Sequence, residues 1–161
     1  MSYTDFANII CHKTQKAAKA MIQARITANS LETLLPTANV FGGMEGSAVT
    51  AKRVVCLCQN AVTAENDEAN WMADLTIQVI CPYSDIAEDD FHELAGQMFA
   101  FFFQGVDTTA TRLSNADVKY TAQRIFPRSQ RWELGMDANG DPAEWVSELA
   151  MQVLCSGSVI A

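Results

Sequence analysis

Histidine is nearly missing from this chain of 161 residues: His12 and His92 are the only two. A zinc-hydrolase helix needs a second histidine one turn away, so His92-Glu93 does not qualify. Glu88 and Asp89 precede His92 at helical spacing, a pattern shared by ordinary acidic helix starts. There is no Gly-x-Ser-x-Gly, and Gly42-Gly43-Met44-Glu45-Gly46-Ser47 lacks the lysine of a phosphate loop. Long apolar runs are missing too. The longest, Met98 to Phe103, is far too short to span a bilayer. The short apolar patch between Asp5 and Lys13 has no small-residue cleavage site after it. These absences point to a soluble, intracellular protein that is not an enzyme and uses no cofactor, metal or membrane.

Cysteine is present in an odd number without framework spacing: Cys11, Cys56, Cys58, Cys81 and Cys155. Buried free thiols suit that pattern, because cysteine packs as a small hydrophobe. A zinc site from Cys56, Cys58, Cys81 and Cys155 is the alternative, against which Cys-x-Cys is not the usual knuckle spacing.

Positive charge is missing from one long segment. Residues 54–111 carry ten acids and no Lys or Arg, while residues 1–53 carry six Lys or Arg and three acids. The formal net charge is −8, so the chain lacks the basic footprint of a nucleic-acid binder. An acidic solvated face explains the segregation. So does a head-to-tail contact between a basic patch on one subunit and an acidic patch on the next.

What the chain does have is a stretch that occurs twice. Residues 69–81 (ANWMADLTIQVIC) and 143–155 (AEWVSELAMQVLC) agree at six of thirteen positions. Both alternate with period two. Trp71, Ala73, Leu75, Ile77, Val79 and Cys81 share one face; Trp145, Leu149, Met151, Val153 and Cys155 do the same. This is the signature of long antiparallel strands with one side buried. Two copies are too few for a solenoid.

The rest of the chain reads around these strands. Ser2-x-x-Asp5 opens a long helix stopped by Pro36, with a break near Asn29-Ser30. Residues 37–51 read as loop, Lys52–Gln59 as strand and Asn60–Ala69 as an acidic hairpin loop. Ser84 or Asp85 caps a second helix, which Gly105 ends; Asp107 starts a further turn toward Leu113. Lys119–Phe126 reads as a strand stopped by Pro127, and Met136–Pro142 as a turn around Asn139-Gly140. The expected fold is α+β: a four-stranded, mainly antiparallel sheet with helices packed on one face, in the order α-β-β-α-β-β. It forms a single domain over residues 1–161. Asp137, Asn139, Asp141 and Glu148 match four positions of a calcium loop, but Pro142 replaces its glycine.

Leu34-Leu35-Pro36, the glycine loop, Asn70-Trp71 opening a long strand, and Glu144-Trp145 opening the last one give the chain a resemblance. In element order it resembles phage tail-terminator and head–tail joining proteins, over most of its length. The resemblance implies a structural virion protein without catalytic residues, located at the neck of the particle and assembled in the host cytoplasm. It implies a homohexameric ring that ends the tail tube, meeting the tube protein on one side and a head-completion protein on the other. DNA would pass through the lumen without specific binding. A head-closure or stopper ring, and a small cytoplasmic ligand-binding or enzymatic domain, stay open beside it. The expected protein-contact residues are Glu65, Asp67, Glu68, Asp137 and Asp141 in two acidic loops, and Lys13, Lys16 and Lys19 on the first helix. Both loops precede a repeat strand, so they are expected at the same end of the sheet.

Overall fold

The structure is a computed structural model that describes residues 3–64, 67–103, 113 and 122–156. It consists of helix α1 (Tyr3–Ala28), strands β1 (Val40–Gly42), β2 (Arg53–Ala64) and β3 (Asp67–Pro82), helix α2 (Glu88–Ala100), and strands β4 (Ala122–Met136) and β5 (Pro142–Ser156). They form one five-stranded mixed sheet in the order β1-β2-β3-β5-β4. This corrects the expected four-stranded antiparallel sheet. The residues read as a glycine loop contain β1, which pairs parallel with β2 from Val40↔Val54 to Gly42↔Cys56. The fold is dominated by its sheet, with two α-helices among the described residues.

Other boundaries move for identifiable reasons. α1 ends before Pro36. The N–H of Leu31 bonds to Ile26 O and that of Ser30 to Thr27 O, with Ser30 in the left-handed region at φ 56°. That is a Schellman ending, here on a residue with a side chain. α2 is preceded by Ala87, which makes no side-chain cap; Tyr83–Asp85 form a separate tight turn. Asn60–Ala64 and Asp67–Ala69, expected as loop, are strand. A register shift between Cys58 and Asn60 breaks the alternation there and hides the continuation. β4 runs straight through Pro127. An edge strand tolerates proline, because its outward N–H needs no ladder partner. Gly105, Asp107 and the opening Ser2 lie outside the described residues.

The two repeat segments lie side by side. β3 and β5 pair antiparallel with Trp71↔Cys155 and Cys81↔Trp145. The middle pair, Thr76↔Ala150, consists of residues that are also equivalent in the repeat. The strand pair therefore has a local two-fold axis through its centre. Around it the outer strands β2 and β4 occupy corresponding places beside β3 and β5, whereas the helices do not: α1 lies mainly on β2 and α2 on the two inner strands.

One face of the sheet carries the core. Trp71, Ala73, Leu75, Ile77, Val79 and Cys81 of β3 and Trp145, Leu149, Met151, Val153 and Cys155 of β5 are buried against Ile10, Ile22 and Ile26 of α1 and Phe91, Leu94 and Met98 of α2. α1 packs on β1, β2 and β3; α2 packs on β5 and β3. Beyond Gly42 the edge of β2 has no strand beside it among the described residues. There the Gln15 side chain of α1 accepts the N–H of Cys58 at 2.9 Å, covering an edge that would otherwise be open. A Cβ on Gly42 would stand 3.4 Å from Gln15 O, so the small residue lets α1 and β1 approach closely.

Candidate interaction surfaces

Two surfaces carry chemistry. The first is the open face of the sheet, where alternation places Asp74, Thr76 and Gln78 of β3 beside Glu148 and Gln152 of β5. Asp74 accepts from Asn60 at 2.9 Å and from Gln152 at 3.1 Å. Gln152 in turn accepts from Arg128 Nε at 2.9 Å. Glu148 accepts from Gln78 at 3.0 Å and from Arg131 Nε at 3.3 Å. Two chains of hydrogen bonds thus cross the sheet, one from β2 and one from β3, and both end on β4. Asn60, Asp74, Gln78 and Glu148 of these chains line a shallow groove of about 370 Å³ with Leu57, Gln59 and Thr76. Its carboxylates and amides are satisfied by each other, so the groove presents a rigid polar relief rather than a converging set of reactive groups.

The second surface is an aromatic cluster on the helix side of the sheet, at the β4 flank. Phe91 stacks on Trp145 at 5.8 Å, Tyr83 lies 5.6 Å and Trp132 6.0 Å from Trp145, and His92 meets Trp132 edge-on at 4.7 Å. Trp145 is 6% exposed, whereas Tyr83 is 44% and Trp132 50% exposed. The Nε1–H of Trp145 is buried without a hydrogen-bond acceptor. β4 pairs with β5 alone among the described residues, and of the two described helices α2 reaches it through His92 on Trp132. On the helix side of β4, Ala122 is buried and Ile125 and Leu134 pack against the core, whereas Gln130 and Trp132 are exposed.

The expected contact residues fall in several places. Glu65 lies outside the described residues, and so do the side chains of Asp67 and Glu68 at the start of β3. Asp137 is occupied in its own hairpin: its carboxylate accepts the N–H groups of Asn139 at 2.8 Å and Asp141 at 3.0 Å, with Gly140 at φ 81°. Glu148 sits about 20 Å up β5 from that turn, so the calcium pattern is not brought together. The two acidic loops do not share an end of the sheet, which corrects that expectation. β3 and β5 are antiparallel neighbours, so the β2–β3 and β4–β5 turns lie at opposite ends. On α1, Lys16 is exposed, Lys13 is half-buried, and Lys19 pairs with Glu45 at 3.7 Å. The aromatic cluster was missed: Tyr83, His92 and Trp132 share no motif, although the equivalence of Trp145 to Trp71 pointed to one member.

The cysteines are thiols. Burial pushes Cys56 up to about 12 and Cys81 up to about 11. Cys58 is raised first by its hydrogen bond to Cys11 and then by burial; the same bond lowers Cys11. Among the described residues no group of three or more His, Cys, Asp or Glu is placed to hold a metal ion. No helix among them is long and apolar enough to cross a membrane. No protein-family model matches the chain, and no curated protein matches it.

Proposed function

We propose that this protein is a non-enzymatic ring subunit at the head–tail junction of a phage particle, acting as a tail terminator. The observation that carries the reading is the unequal dressing of a duplicated scaffold. Among the described residues, the sheet has a flank at β1 and β2 covered by α1 and a flank at β4 that exposes Trp132. Surfaces that differ on opposite flanks support head-to-tail association, which closes into rings. The sequence resemblance supplies the class of ring. The acidic balance of −8 suits a lumen that lets DNA slide past, because a basic lining would grip its phosphates. The hydrogen-bonded open face is a stiff surface suited to stacking on a neighbouring layer.

The test is genetic and physical. Particles assembled without this protein should carry tail tubes of uncontrolled length, and mass spectrometry of normal particles should find the chain in the tail fraction. Tubes of normal length without the protein would refute the terminator role. Absence of the chain from purified particles would refute a virion role altogether.

A further inference from the structure

We propose that Cys11 of α1 and Cys58 of β2 form a thiol-oxidation site: a peroxide oxidises Cys11, and Cys58 resolves the product to a disulfide within the chain. The inference goes beyond the ring reading and does not depend on it.

Three observations place the pair. The two thiols are hydrogen-bonded to each other where α1 packs on β2. Gln15, one turn after Cys11 on the same side of α1, accepts the N–H of Cys58 at 2.9 Å, so helix and strand are locked together at this point. The bulge of β2 falls between Cys58 and Asn60, directly after the second thiol. Bulges re-aim neighbouring side chains and gather beside reactive sites. The two exposures also differ in the way such a pair needs. Cys11 is half-buried and open to a small solute, whereas Cys58 is 3% exposed and meets only what Cys11 has already bound.

The chemistry follows from the contact. The hydrogen bond from Cys58 lowers Cys11 from the usual thiol value, outweighing burial and the charge of Asp74. That favours the thiolate, the reactive form. The Cys11 thiolate attacks one oxygen of hydrogen peroxide and the O–O bond breaks. A sulfenic acid forms, and the departing hydroxide takes up the proton that Cys11 released, giving water. Cys58 Sγ then displaces the sulfenic oxygen, and its own proton leaves with that oxygen as a second water. The two thiols give two electrons to one peroxide and become the disulfide. Cys56 and Cys81 do not compete, because burial raises them to about 12 and about 11 and keeps them protonated. The new bond would staple α1 to the outer strand of its hairpin.

The test treats the reduced, full-length protein with hydrogen peroxide and maps the cysteines by mass spectrometry without reductant. A Cys11–Cys58 linked peptide should appear, with an intact mass lower by two hydrogens. The thermal midpoint should rise by roughly 5 °C or more and fall back on addition of dithiothreitol. Cys58→Ala should stop at a Cys11 sulfenic acid that dimedone traps. Cys11→Ser should form no link and leave Cys58 a thiol. The wild-type map decides the matter even where a variant fails to fold. Cys11 driven to sulfinic acid while Cys58 stays a thiol would overturn the proposal. So would a main product that joins two chains, or equal rates of loss at all the cysteines. Thiols left intact by a dose that oxidises free cysteine in the same buffer would overturn it as well.

Discussion

The first unit, α1-β2-β3, and the second, α2-β4-β5, start from the same plan and end differently. In the first, a helix of 26 residues lies across its hairpin and the outer strand is buried at Val54, Cys56 and Cys58. In the second, a helix of 13 residues packs mainly on the two inner strands, β5 and β3, and the outer strand is mostly exposed. The inner strands stay equivalent because they are each other's neighbours and share one core. The outer strands are free to diverge, since each meets only its own side of the molecule. The difference teaches that the duplicated centre is the scaffold and the unlike flanks are where a role can be written.

The comparison can be broken at its centre. Trp71→Ala and Trp145→Ala should each destabilise by about 3–5 kcal/mol, as removal of a buried tryptophan does. The two residues are 3% and 6% exposed on the same face. Urea unfolding checks this; one loss near 4 kcal/mol beside one below about 1 kcal/mol would show that the copies are not energetically equivalent. A smaller effect belongs to the junction between the units. Arg53, buried at the start of β2, reaches Glu144 of β5 at 3.4 Å. Glu144→Ala should cost about 1–2 kcal/mol, because it leaves the guanidinium buried and short of an acceptor. Thermal unfolding as unperturbed as that of a surface alanine would contradict it.

The helix ends sharpen the contrast. α1 closes on Ser30 at φ 56°, whereas α2 runs into Phe101 in the right-handed region. Ser30→Gly should therefore stabilise by about 1 kcal/mol, by removing the left-handed strain of a residue with a Cβ. Unchanged stability would mean that Ser30 is not strained. On the open face, Arg131→Ala should cost under about 1 kcal/mol, since the arginine end of its pair with Glu148 is largely solvated and Glu148 keeps its bond from Gln78. The thiols test the layering without altering stability. A small alkylating reagent at mildly alkaline pH should modify Cys11 well before Cys56 or Cys81, whose pKa values are raised by burial. Mass spectrometry showing Cys56 modified first would contradict the packing of β2 under α1.

How much of this was legible in the residues depended on periodicity surviving. Trp71–Cys81 and Trp145–Cys155 alternate without interruption, and both are strands as read. β2 was truncated at Gln59, where a bulge shifts the side-chain face and scrambles the alternation, and β4 at Phe126, because Pro127 reads as a stop although an edge strand tolerates it. β1 is three residues long and parallel, too short for any period to register. The repeat revealed that two strands are equivalent but not that they face each other across a two-fold axis. Hence the acidic loops were expected at one end and lie at two. Of the expected contact residues, Asp137 holds its own turn and Lys19 holds Glu45. Trp132, which has no counterpart in the repeat, carried no signal until β4 was placed at the edge.

The account stands on one image. A cryo-microscopy reconstruction of the wild-type chain at assembling concentration should show a closed ring in which unlike flanks of neighbouring copies meet. A two-fold dimer burying the same flank on both copies, or a monomer at every concentration, would contradict it.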